Sequence, residues 1–207
     1  MKHIFIIRHG ETDNNKTHRF QGRGIDASIN EKGKQQAKAA AGYLEKFPIK
    51  KVITSSLVRT IETADPLIKA KNPVVESYSE LDEMGFGIYE GSYIHEIKEV
   101  IEELQDKWAE GEIDFAINGG ESPQQVYNRA ATKLVEVLEN SDEEYIAFFL
   151  HGRLIRILLA GLLGLGLENM QKIEHRNGSI NHLQWDGETL NPVQLNILDH
   201  LEGLIRV

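Results

Sequence analysis

The chain contains no cysteine. A disulfide framework, a thiolate metal site and a thiol nucleophile are therefore excluded. That absence is compatible with a reducing compartment, and a cytoplasmic protein is the expectation. A basic surplus is also missing: 23 Lys and Arg stand against 32 Asp and Glu, a net charge of −9. Nucleic-acid and anionic-membrane binders show the opposite balance, so neither partner is expected. There is no long hydrophobic run. The longest apolar stretch, residues 154–167, has 14 residues interrupted by Arg156 and three glycines. That is a buried core helix rather than a membrane span. Only four apolar residues precede Arg8 after Met1-Lys2-His3, too few for a signal peptide. No internal repeat or low-complexity segment is evident.

What is present suits one folded domain over residues 1–207 with a sizeable core. The run Ile4-Phe5-Ile6-Ile7, ended by Gly10, reads as a buried strand. It delivers Arg8 and His9 to its carboxyl end, where open α/β sheets bind ligands. The polar segment 13–24, with two glycines, reads as a loop beside His9. Asn30 caps an expected helix over 31–46, stopped by Pro48. Residues 51–55 read as a second strand. Ser56 is the expected cap of the next helix, with Leu57, Ile61, Ala64 and Ile68 on its apolar stripe and Arg59 in its first turn. A helix N-terminus already favours anions, and Arg59 there strengthens the preference.

Val74-Val75 reads as a short strand. Three glycines and several carboxylates between Glu80 and Gly91 argue for a loop-rich excursion. Ile97, Ile101, Leu104 and Trp108 then mark an amphipathic helix. We take residues 80–118 as an insertion that forms part of a lid, not as a domain. Ser122 and Gln125 make a capping box, with Pro123 at the first helical position. The apolar run 145–150 reads as a central parallel strand. It ends in His151-Gly152, echoing His9-Gly10, and a buried helix over about 153–163 follows. A strand over 180–185, the Asp186-Gly187 turn and the alternating Val193, Leu195 and Ile197 complete the chain.

Two strand ends thus each deliver a histidine, with two arginines near the same rim. Arg8-His9-Gly10-Glu11-Thr12 resembles the signature of the histidine phosphatase superfamily, the phosphoglycerate-mutase-like proteins. The segment from Ser55 to Ala64, the spacing of Glu83, Phe86-Gly87 and Glu90-Gly91, the Gly120-Glu121-Ser122 triplet and His151-Gly152 are similar to its further motifs, in the same order. The resemblance implies a three-layer α/β/α fold with a mainly parallel sheet and an active site at the strand carboxyl ends. It implies that His9 is the nucleophile and becomes phosphohistidine, and that Glu83 is the proton donor. It gives Arg8, Arg59 and His151 the phosphoryl oxygens, helped by Asn15, and turns Gln21 and Gly22 toward the phosphate. No metal or cofactor is required, because arginines and histidines supply the charge. An aromatic residue is common in the family where this chain has Asn14, a departure that bears on pocket shape. His18, His95, His175, His182 and His200 are read as structural or surface residues. No two histidines have the His-x-x-x-His spacing of a helical metal site.

The expected activity is hydrolysis of a small phosphomonoester. Glu83 must be protonated when the reaction starts, so activity is expected to fall at alkaline pH. Two rivals stand beside this reading. A phosphoglycerate-mutase-type isomerase uses the same phosphohistidine but returns the group to the substrate. The cofactor-dependent mutases resemble longer chains, and no basic, proline-rich segment occurs here between residues 118 and 141. A non-catalytic phospho-ligand binding module needs neither nucleophile nor acid. An apolar face on the lid helix or an edge strand would serve a homodimer.

Overall fold

The computed structural model describes residues 1–204. Residues 205–207, included in the single-domain expectation, lie outside the described residues. The elements run β1 (Lys2–Arg8), α1 (Asp13–Lys16), α2 (Glu31–Leu44), β2 (Lys51–Ser55), α3 (Val58–Lys71) and β3 (Val74–Tyr78). They continue with α4 (Lys98–Ala109), α5 (Pro123–Glu139), β4 (Tyr145–Leu150), α6 (Gly152–Leu162), β5 (Ile180–Trp185) and β6 (Leu190–Ile197).

The strands form one six-stranded sheet in the order β3-β2-β4-β1-β5-β6. The first four of these neighbours pair in parallel, while β5 runs antiparallel to β1, and β6 to β5. The expected mainly parallel sheet and its antiparallel edge are both present.

Period-two alternation along the central strands feeds two cores. Ile4 and Ile6 of β1, with Ile146, Phe148 and Leu150 of β4, pack on the side of α5 and α6. Phe5 and Ile7, with Ala147 and Phe149, pack on the side of α2 and α3. Both faces are covered, which is why these strands read as continuous apolar runs. The result is the three-layer α/β/α arrangement, with β1 and β4 side by side at its centre.

Several local expectations change. Helix α2 ends at Leu44, two residues before the expected stop, and the Phe47 N–H turns back to the Leu44 carbonyl at 3.0 Å. Pro48 disfavours helical backbone at Phe47. Ser56 does not cap α3. Its N–H and hydroxyl both donate to Asp82, and Asp26 instead accepts from the Val58 N–H at 2.7 Å. The buried face of α3 carries Arg59, Thr60, Thr63, Ala64 and Leu67, leaving Ile61 exposed. That rotation places Thr63 Oγ1 where the Gly10 N–H donates to it at 3.0 Å. Strand β3 runs on to Tyr78 because every residue finds a parallel partner on β2. On β6, Val193 and Leu195 face solvent and only the strand ends are buried.

Between β3 and α5, residues 80–118 hold two short 3-10 turns and α4. This segment is stitched to the loop after β1: Phe20 and Ile94 donate to the Ser92 and His18 carbonyls at 2.9 Å each. Among the described residues, no helix is long and apolar enough to cross a membrane.

Candidate active site

Because β1 and β4 are parallel neighbours, their carboxyl ends lie together, and the His9 N–H donates to the Leu150 carbonyl at 2.9 Å. The rings of His9 and His151 are 5.4 Å apart between centroids. Beside them opens a cavity of about 330 Å3, lined by Arg8, His9, Asn15, Phe20, Gln21, Glu83, Phe86, Ile94, Gly152, Arg153, Arg156 and His175. A volume of this size suits a small ligand.

His9 is buried, and its Nδ1 meets the Gly10 carbonyl at 2.7 Å. A carbonyl only accepts, so Nδ1 carries the proton and the lone pair sits on Nε2. Burial, then the charges of Arg59 and Arg8, push the His9 pKa well below the usual value, against the Gly10 bond. The imidazole is therefore neutral at neutral pH. Gly10 lets this turn press against α2: a Cβ there would come within 2.5 Å of the Gly33 carbonyl oxygen.

Glu83, 5% exposed, is held by three backbone N–H groups. Its Oε1 accepts from Met84 and Leu154 at 2.9 Å each, and Oε2 accepts from Arg153 at 3.0 Å. Two of these donors belong to the first turn of α6, whose free N–H groups thus face a carboxylate. Oε2, with a single bond, is the oxygen with capacity left for a proton.

The loop carrying Glu83 is clamped from α5. Arg129 donates to the Glu80, Asp82 and Glu83 carbonyls at 2.7, 2.9 and 3.1 Å. It also forks onto both carboxylate oxygens of Glu121 at 2.8 and 2.9 Å. Glu121 in turn accepts from the Gly85 N–H at 2.8 Å. Burial acts to raise the Glu121 pKa, but the bonds and charge of Arg129, the Gly85 bond and Arg23 outweigh it and hold it below normal.

Of the eight residues singled out by sequence, Arg8, His9, Asn15, Gln21 and Glu83 line the cavity. Arg59, His151 and Gly22 lie directly behind it, all buried. Arg59 Nε donates to His151 Nδ1 at 3.1 Å, and its other nitrogens donate to the Ile25 and Gly22 carbonyls. His151 Nε2 therefore carries the proton and donates to Ser55 Oγ at 2.7 Å. Burial, then Arg59 and His9, drive the His151 pKa well below its usual value. With its amide NH2 turned to Thr12 Oγ1, Gln21 accepts from Arg59 Nη1 at 3.0 Å. Asn15 closes a capping box with Thr12 at the start of α1 and is tied to Asn177, which also donates to the His9 carbonyl.

Three ionisable lining residues were not singled out from sequence. His175, read as structural or surface, is buried in the site wall between two guanidinium groups. Its Nδ1 lies 3.5 Å from Arg8 Nη1, and its Nε2 accepts from Arg156 Nε at 3.2 Å. Burial and the flanking charges of Arg8, Arg156 and Arg153 lower its pKa to about 2. Arg153 and Arg156 come from the first two turns of α6. Burial lowers the pKa of Arg8 and of Arg153 to about 10, so both stay charged at neutral pH. The signals for the two α6 arginines were present: Arg153 has the same first-turn placement as Arg59, and Arg156 is a lone charge in an apolar helix. His175 lies in an irregular segment and has no local signal. Among the described residues, no group of three or more His, Cys, Asp or Glu could hold a metal ion.

The cavity thus has three guanidinium groups, a neutral imidazole with a free Nε2 and one fixed carboxylate. Comparisons with known proteins fit this chemistry. The chain is 29% identical over 201 residues to Phosphoserine phosphatase 1 of Hydrogenobacter thermophilus, covering 97% of this chain and 95% of the relative. It is 30% identical over 185 residues to the Probable phosphoglycerate mutase GpmB of Salmonella choleraesuis, covering 89% and 86% of the two chains. A mycobacterial glucosyl-3-phosphoglycerate phosphatase solved with VO3 superposes with a TM-score of 0.86 at 28% identity, over 95% of this chain and 99% of that one. The family model described as the histidine phosphatase superfamily (branch 1) matches residues 4–198, and the chain belongs to that family.

Proposed function

We propose that this protein is a metal-independent phosphomonoester hydrolase that works through a phosphohistidine on a small phosphorylated metabolite. The observation that carries the reading is the pinned tautomer of His9, which presents an unprotonated Nε2 to an arginine-lined cavity that also holds Glu83. In the first step Nε2 forms a bond to phosphorus while the ester oxygen leaves, and Glu83 gives that oxygen its proton. In the second, Glu83 takes a proton from water as the water oxygen displaces His9 from phosphorus. Inorganic phosphate and an alcohol are the products. Arg8 faces the equatorial oxygens from the cavity wall, and Asn15 and Gln21 flank them. Arg59 and His151 support the same oxygens from behind, polarised by the buried network around Ser55. Gly22 contributes its carbonyl to hold Arg59.

The segment 80–118 acts as a lid in this reading, since Phe86 and Ile94 line the cavity from it. The partner is a small phosphorylated substrate; the net charge of −9 disfavours nucleic acid and anionic membranes. The cysteine-free composition is compatible with the cytoplasm, and exposed Val193 and Leu195 on edge strand β6 offer a homodimer contact.

The test is phosphate release from a panel of esters with EDTA present, comparing wild type with His9→Ala and Glu83→Gln. Turnover by wild type, and a labelled phosphoenzyme absent from His9→Ala, are expected. Binding without turnover would instead favour a phospho-ligand binding module. The likeness to a protein named as a phosphoglycerate mutase keeps one alternative chemistry in view. Conversion of 3-phosphoglycerate to its isomer without free phosphate would replace hydrolysis by mutase-type transfer.

A further inference from the structure

The cavity has more cationic capacity than a phosphate cradle uses. Arg8 serves the side where His9, Asn15 and Gln21 converge. Arg153 and Arg156 enter from α6 on the other side of His175. Arg156 Nη1 donates to Gln171 Oε1 at 2.9 Å, which orients both side chains. The Arg153 guanidinium lies 5.4 Å above the Trp108 ring, a contact that steadies the cation.

Unmet hydrogen bonds mark the same place. Among the described residues, buried side-chain atoms without a protein partner include Arg8 Nε, Arg153 Nη1 and Gln171 Nε2. All three are donors. Buried donors of this kind are seldom left unpaired, so the cluster asks for acceptor oxygens. Charge points the same way. Three guanidinium groups line the cavity against one carboxylate, and Glu83 is neutral when it acts as the acid. A phosphomonoester dianion alone leaves positive charge unmatched. A further acceptor of carboxylate size is matched by the paired guanidinium groups of Arg153 and Arg156. The His175 imidazole, held neutral by burial and its arginine neighbours, spaces the two halves without adding charge.

We propose that Arg153 and Arg156, backed by Gln171 and set apart from Arg8 by His175, form a second anion subsite that takes a carboxylate of the substrate. The preferred esters are then phosphorylated hydroxy acids rather than neutral sugar or polyol phosphates. This inference rests on the proposed phosphate site, and it names the substrate class of that site.

A matched pair of esters tests it. 3-Phosphoglycerate and glycerol 3-phosphate differ only in a carboxylate replacing a hydroxymethyl group. Wild-type kcat/KM is expected to favour 3-phosphoglycerate by about 10- to 100-fold, the range of a charge-assisted hydrogen-bonded contact. In Arg153→Met and Arg156→Met that ratio falls toward one, and because it is a ratio, any general loss of activity cancels. A wild-type ratio near one overturns the subsite, as does a ratio unchanged in both variants. Calorimetric binding of the two compounds to His9→Ala separates this inference from the hydrolase reading. At least tenfold tighter binding of 3-phosphoglycerate there supports the subsite even where no ester is hydrolysed, and equal affinities overturn it.

Discussion

Replacing Arg129 with methionine removes five hydrogen bonds at once, three to the carbonyls of Glu80, Asp82 and Glu83 and two to Glu121. The side chains of Arg129 and Glu121 are only 16% and 19% exposed, so little solvent compensates. Breaking a buried pair from one side costs about 3–5 kcal/mol. The partial exposure of this pair, and the bonds Glu121 keeps to Gly85 and Arg23, put the expectation near the lower end, about 3 kcal/mol. For a chain of this length that lowers the melting temperature by roughly 6–12 °C. The double variant Arg129→Met with Glu121→Met is expected to be less destabilised than the two single losses added together, with coupling of about 1.5 kcal/mol or more. The pH dependence has a definite sign. Glu121 titrates below its ordinary value of 4.5 in the folded protein, so the pair contributes stability above that value and loses it as pH falls through the depressed one. The gap between wild type and variant therefore narrows in acid. Urea unfolding followed by circular dichroism at pH 7 and at pH 4 and below measures both effects. A loss under about 1 kcal/mol at neutral pH, or a gap that does not change with pH, would refute the clamp. A parallel fall in turnover is expected, because the clamped loop carries Glu83.

Other consequences are equally direct. His9, His151 and His175 are all held neutral by burial, and the unfolded chain takes up protons on them below about pH 6.5. Stability is expected to fall with a slope approaching about 4 kcal/mol per pH unit below pH 6, and a urea midpoint that is flat from pH 7 to 5 would contradict this. Gly10→Ala forces a Cβ against the Gly33 backbone and is expected to cost about 2 kcal/mol or more while displacing His9, read by melting and by turnover. Gly42→Ala is the contrasting case: this exposed position inside α2 has nothing within 4 Å, and about 0.5–1 kcal/mol of stabilisation is expected on the same melting assay. Ser122→Ala breaks the capping box of α5, for about 1 kcal/mol in denaturant titration.

The parts of this molecule that were legible in its sequence are those fixed by local physics. The apolar runs 4–7 and 146–150 are buried on both faces, as their continuous apolar pattern suggested for central strands. Histidines at their ends, and the Ser122 capping box, followed from adjacent residues. What escaped notice depends on contacts distant in the chain. Asp26 reaches across to the Val58 N–H, so Ser56 is released to Asp82 and no local rule could foresee it. The buried stripe of α3 includes Thr63, whose hydroxyl accepts from the Gly10 N–H, a contact that apolar spacing alone does not reveal. That Arg59 Nε donates to His151 Nδ1, tying two expected phosphate-binding residues together, joins positions 92 residues apart. His175 became part of the site only because the segment before β5 folds back beside Arg8.

The strand order carries a consequence for how this chain is made. Strand β1 finds its two neighbours, β4 and β5, only after residue 144. At about 5–20 residues per second, synthesis leaves an apolar strand with both edges open for several to tens of seconds. Meanwhile β2 and β3 can pair, but the gap between β1 and β2 must stay open until β4 slots into it. The nascent chain therefore cannot zip up in order. Until then the open edges of its amino-terminal strand are a surface for pairing with other chains. No fragment that stops short of β4 has His151 to set beside His9, so the site is completed late in synthesis.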